Sequence, residues 1–342
     1  MAVWIRRIGK LLATLLLLVV AIWGAGVIHF HASGAVHGLG MLLWGGLSLA
    51  LLWWFWRDPG RGLAWTGLAF LLALLGLSVF WNSLHPSQDR QWADDVARRL
   101  HVRSFDGRHV VLDNVRNFTW RSETDYDIVW EPRRYDLQQL QSADVLLSYW
   151  MGPTIAHTLV SFGFADGRQL VFSLEIRKEH DESFDALAGF FRRYEMTLVA
   201  ADERDIVATR TNARGEDVYL YRVSALQGQA LRELFVAYLE QARALDRAPA
   251  FYNTLTSNCT TIVWQLARKV SPDLPLDWRL LASGYFDDYL QQQGALPQGV
   301  APAALKQHGR ITGRARADGA STHFSQRIRQ GVPGIDQGAV DE

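Results

Sequence analysis

The chain has 342 residues, and its 35 Lys and Arg are balanced by 35 Asp and Glu, which gives a formal net charge of zero. That balance excludes the basic surface typical of nucleic-acid-binding proteins, and no phosphate-binding glycine loop or Cys/His zinc motif occurs. We therefore predict no nucleic-acid partner, no metal ion and no cofactor. The sequence carries no signal for an oligomeric state.

Three N-terminal stretches, residues 11–30, 38–56 and 63–81, contain no Asp, Glu, Lys or Arg. Each is about the 20 residues needed to cross the hydrocarbon of a bilayer. The first has an apolar core too long for a cleaved signal peptide, and two further spans follow it. Residues 1–84 are therefore predicted to form a three-helix transmembrane region.

Lys and Arg set the expected orientation of these spans. Three basic residues, Arg6, Arg7 and Lys10, precede the first span. The link between the first two spans contains neither Lys nor Arg, whereas the link between the second and third contains two Arg. Because Lys and Arg favour cytoplasmic loops, we predict a cytoplasmic N-terminus, a multi-pass protein of the bacterial inner membrane, and a periplasmic C-terminal domain.

The remainder of the chain is expected to contain three parts. Residues 85–115 are predicted to be a connector, with a short amphipathic helix at 88–100. Residues 116–297 form the predicted periplasmic domain. From residue 298 to 342 the chain is rich in Gly, Ala, Gln and Arg without a period, which predicts a largely unpacked tail.

Alternating apolar residues predict a strand-rich first half of the domain. Strand-like runs lie at 109–112, 117–120, 128–130, 145–150, 158–164, 170–176, 194–200 and 217–222. The Asp166-Gly167 pair between two of these runs predicts a β-hairpin. An apolar stripe over residues 226–242 predicts a long helix after the last strand.

The only cysteine of the chain, Cys259, lies in the sequence TSNCTTIVWQLARKV. Polar capping-type residues precede an apolar helical period, so Cys259 is expected in the first turn of a helix. There the unpaired backbone N–H groups and the helix dipole favour the thiolate, which is the nucleophilic form of cysteine. A small buried hydrophobe is the alternative interpretation. A lone thiol in an exported domain has no intramolecular disulfide partner, which favours a chemical role.

A thiolate mechanism needs a base, and His157 at the head of the predicted hairpin is the candidate. Among the ten histidines, His101, His109 and His180 are the competitors. A three-residue loop at 166–168 would place His157 and Glu175 on one face of the hairpin, whereas a two-residue loop would place them on opposite faces. Ser173 has the same parity as Glu175. The charged residues Arg177, Glu179, Glu182, Glu203 and Arg204 are interpreted as solvated or structural ion pairs.

Several motifs in a fixed order resemble the Lnb N-terminal periplasmic domain family, named for a bacterial lipoprotein N-acyltransferase. They read HTLVSFGFADGRQLVFSLEIRKE, FFRRYEMTLVAADERDIVATRTN, VYLYRV and FYNTLTSNCTTIV, and the likeness covers residues 116–270. The resemblance implies an α+β fold, with three N-terminal transmembrane helices followed by a permuted papain-like, NlpC/P60-related soluble domain. In that order the histidine strand precedes the cysteine helix.

The same resemblance implies roles for individual residues. Cys259 would be the nucleophile, His157 the base and Glu175 the orienting carboxylate. The residues expected to shape the substrate-binding pocket are Tyr252, Asn253 and Asn258.

The implied activity is that of a membrane-tethered thiol acyltransferase. A membrane phospholipid would acylate Cys259, and an amine such as a lipoprotein N-terminus would accept the acyl group. In the enzyme that gives the family its name, membrane helices follow the soluble domain, whereas here three spans precede it, so the reaction itself stays open. The alternatives are a cysteine amidase or peptidase acting on cell-wall peptide, and a non-catalytic periplasmic binding domain.

Overall fold

The computed structural model describes residues 2–57 and 60–335, which fall into two compact units. The first unit contains the N-terminal helices to Ser87 together with the segment Asp185–Arg193. The second unit contains the rest of the described chain. The last seven residues of the predicted tail, 336–342, lie outside the described residues.

Three helices make up most of the first unit: α1 (Ala2–His31), α2 (Gly34–Arg57) and α3 (Arg61–Ser83). All three are long and apolar enough to cross a membrane, as the sequence predicts. Most of their large apolar side chains are exposed on the protein surface. Where the helices meet, the buried Trp44 packs on Gly24, and any side chain at Gly24 would overlap the indole.

The second unit is a mixed α/β domain built on an eight-stranded sheet. The strands of the domain are β1 (His101–Phe105), β2 (His109–Arg116), β3 (Thr119–Trp120), β4 (Tyr126–Asp127), β5 (Trp130–Asp136), β6 (Leu140–Tyr149), β7 (Ala156–Phe164), β8 (Gln169–Arg177), β9 (Glu195–Ala201) and β10 (Asp217–Arg222). The sheet order is β1-β2-β9-β8-β7-β6-β10, with β5 also paired to β2, while β3 and β4 form a separate two-stranded sheet. All pairs are antiparallel except β2 with β9. The α+β class expected from the sequence is confirmed.

Helices cover both faces of the large sheet. They are α4 (Glu203–Ala208), which continues into a π-helical turn at Thr209–Ala213, then α5 (Gly228–Arg247), α6 (Cys259–Arg268), α7 (Phe286–Gln292), α8 (Pro302–Gly309), α9 (Thr312–Asp318) and α10 (Phe324–Ile328). On one face the rings of Phe162 and Phe172 pack against Phe235 of α5. On the other face Leu159 and Val171 share a core with residues of α4, α9 and α10. The cysteine helix follows the histidine strand in the chain, which is the permuted order that was expected.

The predicted connector helix at 88–100 is wrong, because only a single 3-10 turn forms there, at Asp94–Val96. The backbone of this segment is held instead by the end of β8. The Ala93 N–H donates to the carbonyl of Lys178, and the guanidinium of Arg177 donates to the carbonyls of Val96 and Ala97. These tertiary hydrogen bonds outweigh the local helical pattern, and the predicted connector continues into β1 and β2 of the large sheet.

The prediction of an unpacked tail is also wrong for residues 298–335. Helices α8, α9 and α10 form there, and they bury Ile311, Phe324 and Ile328 in the core. Arg329 anchors the segment, since its guanidinium bonds the buried carboxylates of Asp144 (2.8 Å) and Glu203 (2.6 Å). A composition rich in Gly, Ala, Gln and Arg misled the interpretation because a few well-placed apolar residues and one buried arginine were enough to pack short helices.

Candidate active site

Cys259 is the first residue of α6 and is buried. The Asn258 side chain caps the helix, because its Oδ1 accepts the N–H groups of Thr260 (2.9 Å) and Thr261 (2.8 Å). The Thr261 hydroxyl in turn accepts the Asn258 N–H at 2.9 Å, which completes a capping box. The thiol therefore lies at the positive end of the helix dipole, as the sequence predicts.

His157 lies near the start of β7 and is brought to face β8 by the hairpin between them. Phe164 N–H donates to the Arg168 carbonyl (3.0 Å), so the loop has three residues, and Gly167 takes a left-handed conformation (φ 83°) that glycine adopts readily. Leu159 pairs with Ser173, which brings Glu175 level with His157. The expected common face is found. A loop at 166–168 would pair Ala165 with Gln169, whereas the observed register pairs Gly163 with Gln169 and so differs by two residues.

A hydrogen-bonded relay links the imidazole to the carboxylate. His157 Nε2 lies 2.7 Å from the Ser173 hydroxyl, which donates to Glu175 Oε1 at 2.6 Å. The direct distance from His157 Nε2 to Glu175 Oε1 is 3.2 Å. On the other side, the charge of His157 acts on the Cys259 thiol, whose Sγ lies 3.8 Å from the Thr260 hydroxyl. Ser173 and Glu175, which the sequence left as alternatives, therefore act together on the same ring.

Arg210 holds the carboxylate in place from the π-helical turn after α4. Its Nη2 donates to Glu175 Oε1 at 2.8 Å, and its Nη1 lies 3.4 Å from Glu216 Oε2. Glu216 also accepts a hydrogen bond from the buried Ser148 hydroxyl. Turns of this π type are frequent at functional sites. The sequence gave no local signal for Arg210, which is one of 35 Lys and Arg, although it lies inside a quoted family motif.

The electrostatics of the relay favour a thiolate-imidazolium pair. Burial by itself would lower the pKa of His157, but attraction to Glu175 and to Cys259 outweighs burial and raises that pKa to about 9. Burial would raise the pKa of the Cys259 thiol, yet the charge of His157 lowers it overall. The pKa of Glu175 is held well below its usual value by His157 and Arg210, against the effect of burial. These opposite shifts favour the charged form of both the thiol and the imidazole.

The three residues expected to shape the pocket have distinct surroundings. Tyr252 is buried, and burial together with the negative charges of Cys259 and Glu175 raises the pKa of its phenol. The side-chain Oδ1 of Asn253 accepts the N–H groups of Leu255 and Thr256, and Asn258 caps α6. Contact with substrate stays a prediction for all three, while the two asparagines visibly shape the loop that leads to the nucleophile.

The competing histidines occupy other parts of the domain. His101 Nδ1 lies 2.8 Å from Asp246, His109 Nδ1 lies 3.3 Å from Asp106, and His180 Nε2 lies 3.9 Å from Asp94. All three are ion-pair partners of carboxylates at the surface. Of the charged residues interpreted as structural, Glu203 is fully buried and bonds Arg329, and Glu179 pairs with Arg90 at the surface.

Exposed apolar side chains flank the segments that carry the histidine and the cysteine. They are Trp150, Met151 and Ile155 before His157, Leu255 before Cys259, and Leu276, Trp278 and Leu281 after α6. The segment before His157 is joined to the 3-10 turn Ser283–Tyr285, since the Ser283 hydroxyl bonds both the N–H and the carbonyl of Ala156. All of these side chains lie close along the chain to the histidine or the cysteine.

A family model, described as the Lnb N-terminal periplasmic domain, matches residues 126–284. Residues 126–284 are therefore similar to the Lnb N-terminal periplasmic domain. The match runs from β4 to the 3-10 turn Ser283–Tyr285, and this matched region, called the Lnb domain below, includes Cys259, His157, Ser173, Glu175 and Arg210. Neither the curated proteins nor the solved structures provided a match to this chain.

Proposed function

We propose that the protein is a membrane-tethered thiol acyltransferase whose nucleophile is Cys259. The observation that carries the proposal is the buried relay from Cys259 through His157 to Glu175, which has the charge pattern of an activated cysteine nucleophile. The N-terminus would be cytoplasmic and the Lnb domain periplasmic, at the inner membrane of a bacterium.

In the first half-reaction the Cys259 thiolate attacks the ester carbonyl carbon of a phospholipid. The Cys259 backbone N–H, which has no acceptor among the described residues, is the donor we assign to the developing oxyanion. As the ester C–O bond breaks, the His157 imidazolium gives its proton to the departing lysophospholipid oxygen. The products are a Cys259 thioester, a lysophospholipid and a neutral His157.

In the second half-reaction an amine attacks the thioester carbonyl. Neutral His157 accepts the proton of the attacking nitrogen, the C–S bond breaks, and the thiolate-imidazolium pair is restored. Glu175, held by Ser173 and Arg210, stabilises the imidazolium before the first half-reaction and after the second. The N-terminus of a lipoprotein is the acceptor that we propose.

The apolar residues that flank the site favour a lipid donor over a cell-wall peptide. Trp150, Met151 and Ile155 immediately precede the histidine strand, and each presents a large apolar surface to solvent. Acyl chains gain about 25 cal/mol for each Å² of apolar surface buried, whereas a polar muropeptide would leave these side chains hydrated. Three spans that hold the domain at the bilayer also suit a substrate that resides there.

The proposal is tested by supplying both kinds of substrate to the purified full-length protein in proteoliposomes. One reaction contains a phospholipid with a labelled acyl chain and a lipopeptide with a free N-terminal amine. A parallel reaction contains a cell-wall peptide. We expect lysophospholipid and N-acylated lipopeptide, with neither product formed by Cys259→Ala. Cleavage of the cell-wall peptide without acyl transfer would instead identify the amidase or peptidase alternative, and no reaction with either would favour a binding domain.

A further inference from the structure

The segment Asp185–Arg193 interrupts the second unit between β8 and β9 but packs with the N-terminal helices. It contains the sequence DALAGFFRR, in which an apolar stretch leads into two arginines. A 3-10 turn at Ala188–Phe190 gives it local structure. This segment, called the anchor loop below, belongs neither to the sheet nor to the residues of the proposed reaction.

The ring of Phe191 is the centre of the contact between the anchor loop and α1. It stacks on Phe30 with ring centroids 5.1 Å apart, and its backbone carbonyl lies 2.6 Å from His31 Nε2. The ring also lies directly on Gly26, so any side chain at that position would overlap it. The absence of a side chain at Gly26 therefore leaves the space that the Phe191 ring occupies, and this space is called the seat below.

The next residue, Arg192, attaches the anchor loop to α3. Its guanidinium lies over the indole of Trp81, 4.5 Å from the ring centroid, and its Nη1 donates to the Trp81 carbonyl at 2.8 Å. Arg192 adopts a left-handed backbone conformation (φ 54°), which costs a non-glycine residue energy and persists only where surrounding contacts enforce it. Aromatic and arginine side chains of this kind are typical of the membrane-water interface.

The position of the seat gives the depth of the contact. Gly26 lies five residues before the end of α1 at His31. At 1.5 Å per residue, the Phe191 ring is about 7 Å below the end of a membrane-spanning helix. Amphipathic segments that lie in an interface bury their apolar faces to about 5–10 Å. A segment at this depth beside a membrane-spanning helix would be surrounded by acyl chains.

The rest of the anchor loop presents apolar side chains outward. Leu187 is 64% exposed and Phe190 is 39% exposed, although both flank a ring that packs on membrane helices. Phe80, near the end of α3, is likewise exposed. Acyl chains that cover the helices at this depth would cover Leu187 and Phe190 as well.

We propose that the anchor loop is inserted in the bilayer leaflet in which α1 ends at His31, with Leu187 and Phe190 among the acyl chains and Arg192 at the headgroup level. The occupant of this apolar surface is thus the lipid itself. The loop is a fourth membrane contact, in addition to the three spans, and it is covalently continuous with β8, the strand that carries Ser173 and Glu175.

The proposal is tested by the environment of a label on the anchor loop in the full-length protein. Leu187→Cys is made in a Cys259→Ser background, labelled with an environment-sensitive fluorophore and reconstituted in nanodiscs. We expect blue-shifted emission, strong quenching by spin-labelled phospholipid and weak quenching by aqueous iodide. The matched control is a label at Arg232→Cys on the exposed face of α5, where the order of the two quenchers should be reversed.

The seat is tested in the same labelled protein by Gly26→Leu, which fills the space that Phe191 occupies. We expect several-fold less quenching by spin-labelled lipid and more by iodide. Gly9→Leu makes the same change in α1 where nothing lies near the added side chain, and it should leave both signals unchanged. A Leu187 label quenched by iodide as readily as the control label would overturn the insertion, and equal behaviour of the two glycine variants would overturn the seat. Neither readout depends on catalysis.

Discussion

Removal of the negative charge at Glu175 should lower the fraction of Cys259 that is ionised to thiolate at neutral pH, while the cysteine itself is retained. In Glu175→Gln the amide retains the size of the side chain but no longer attracts the imidazolium. Burial and Arg210 both lower the pKa of His157, and both influences remain in the variant. The pKa of His157 should therefore fall, since only the attraction of Cys259 still raises it, and less imidazolium should be present at pH 7. Without an imidazolium beside it, the buried thiol should have a raised pKa.

The size of the effect follows from the separation of the charges. At 3.2 Å and an effective dielectric constant of about 20, the pair of charges is worth about 5 kcal/mol, before Arg210 offsets part of it. The pKa of His157 stands at about 9 against an ordinary 6.5, a difference of about 2.5 or roughly 3 kcal/mol. A loss of this order should reduce the thiolate fraction at pH 7 by a factor of roughly 10 to 100.

The assay is the rate of Cys259 alkylation by iodoacetamide from pH 5 to pH 10, which is simple to interpret because the chain has one cysteine. In the unmodified protein the rate should be high at neutral pH and fall only as the pH drops through the lowered pKa of the thiol. In Glu175→Gln it should be 10- to 100-fold lower at pH 7 and recover towards pH 10, since hydroxide then ionises the thiol unaided. Glu240→Gln, which changes an exposed carboxylate paired with Lys269, is the matched control and should have no effect. Equal alkylation of all three proteins at pH 7 would refute the charge relay.

Three further predictions concern the nucleophile, the C-terminal helices and the topology. Cys259→Ser should abolish acyl transfer and leave the circular dichroism spectrum unchanged, because a hydroxyl is far less acidic than a thiol and stays un-ionised beside His157. Arg329→Met should lower the free energy of unfolding by about 3–5 kcal/mol in urea titrations, because it leaves the buried carboxylate of Glu203 without its guanidinium, while Asp144 keeps Arg222. Arg121→Met, which removes a guanidinium paired only with exposed carboxylates, should leave the free energy of unfolding nearly unchanged. A reporter enzyme fused to the C-terminus should be active only when exported, and cytoplasmic activity would contradict the orientation drawn from Lys and Arg.

Features with short-range causes could be predicted from the sequence. The three spans follow from length and charge alone, and the turn at Gly167 follows from the Asp-Gly pair. The helix start at Cys259 follows from the capping residue Asn258. The common face of His157 and Glu175 required only the parity of the hairpin loop.

Features that depend on distant parts of the chain could not be predicted. The two-residue error in the hairpin register has no local signal, because either register leaves the same side chains on the same face. Arg210 enters the site from a π-helical turn more than thirty residues beyond Glu175. The segment after residue 297 packs because Arg329 meets Asp144 and Glu203, two carboxylates far earlier in the chain. Such pairings are fixed by tertiary geometry and not by composition.

The central claim, that Cys259 is an acyl-carrying nucleophile, is tested most directly by intact-protein mass spectrometry of the full-length protein after incubation with phospholipid and without an amine acceptor. The account predicts a mass increase of one fatty acyl group, located on the peptide that contains Cys259, removed by hydroxylamine and absent in Cys259→Ala. An unmodified Cys259 after incubation with phospholipids of several headgroups and chain lengths would contradict it.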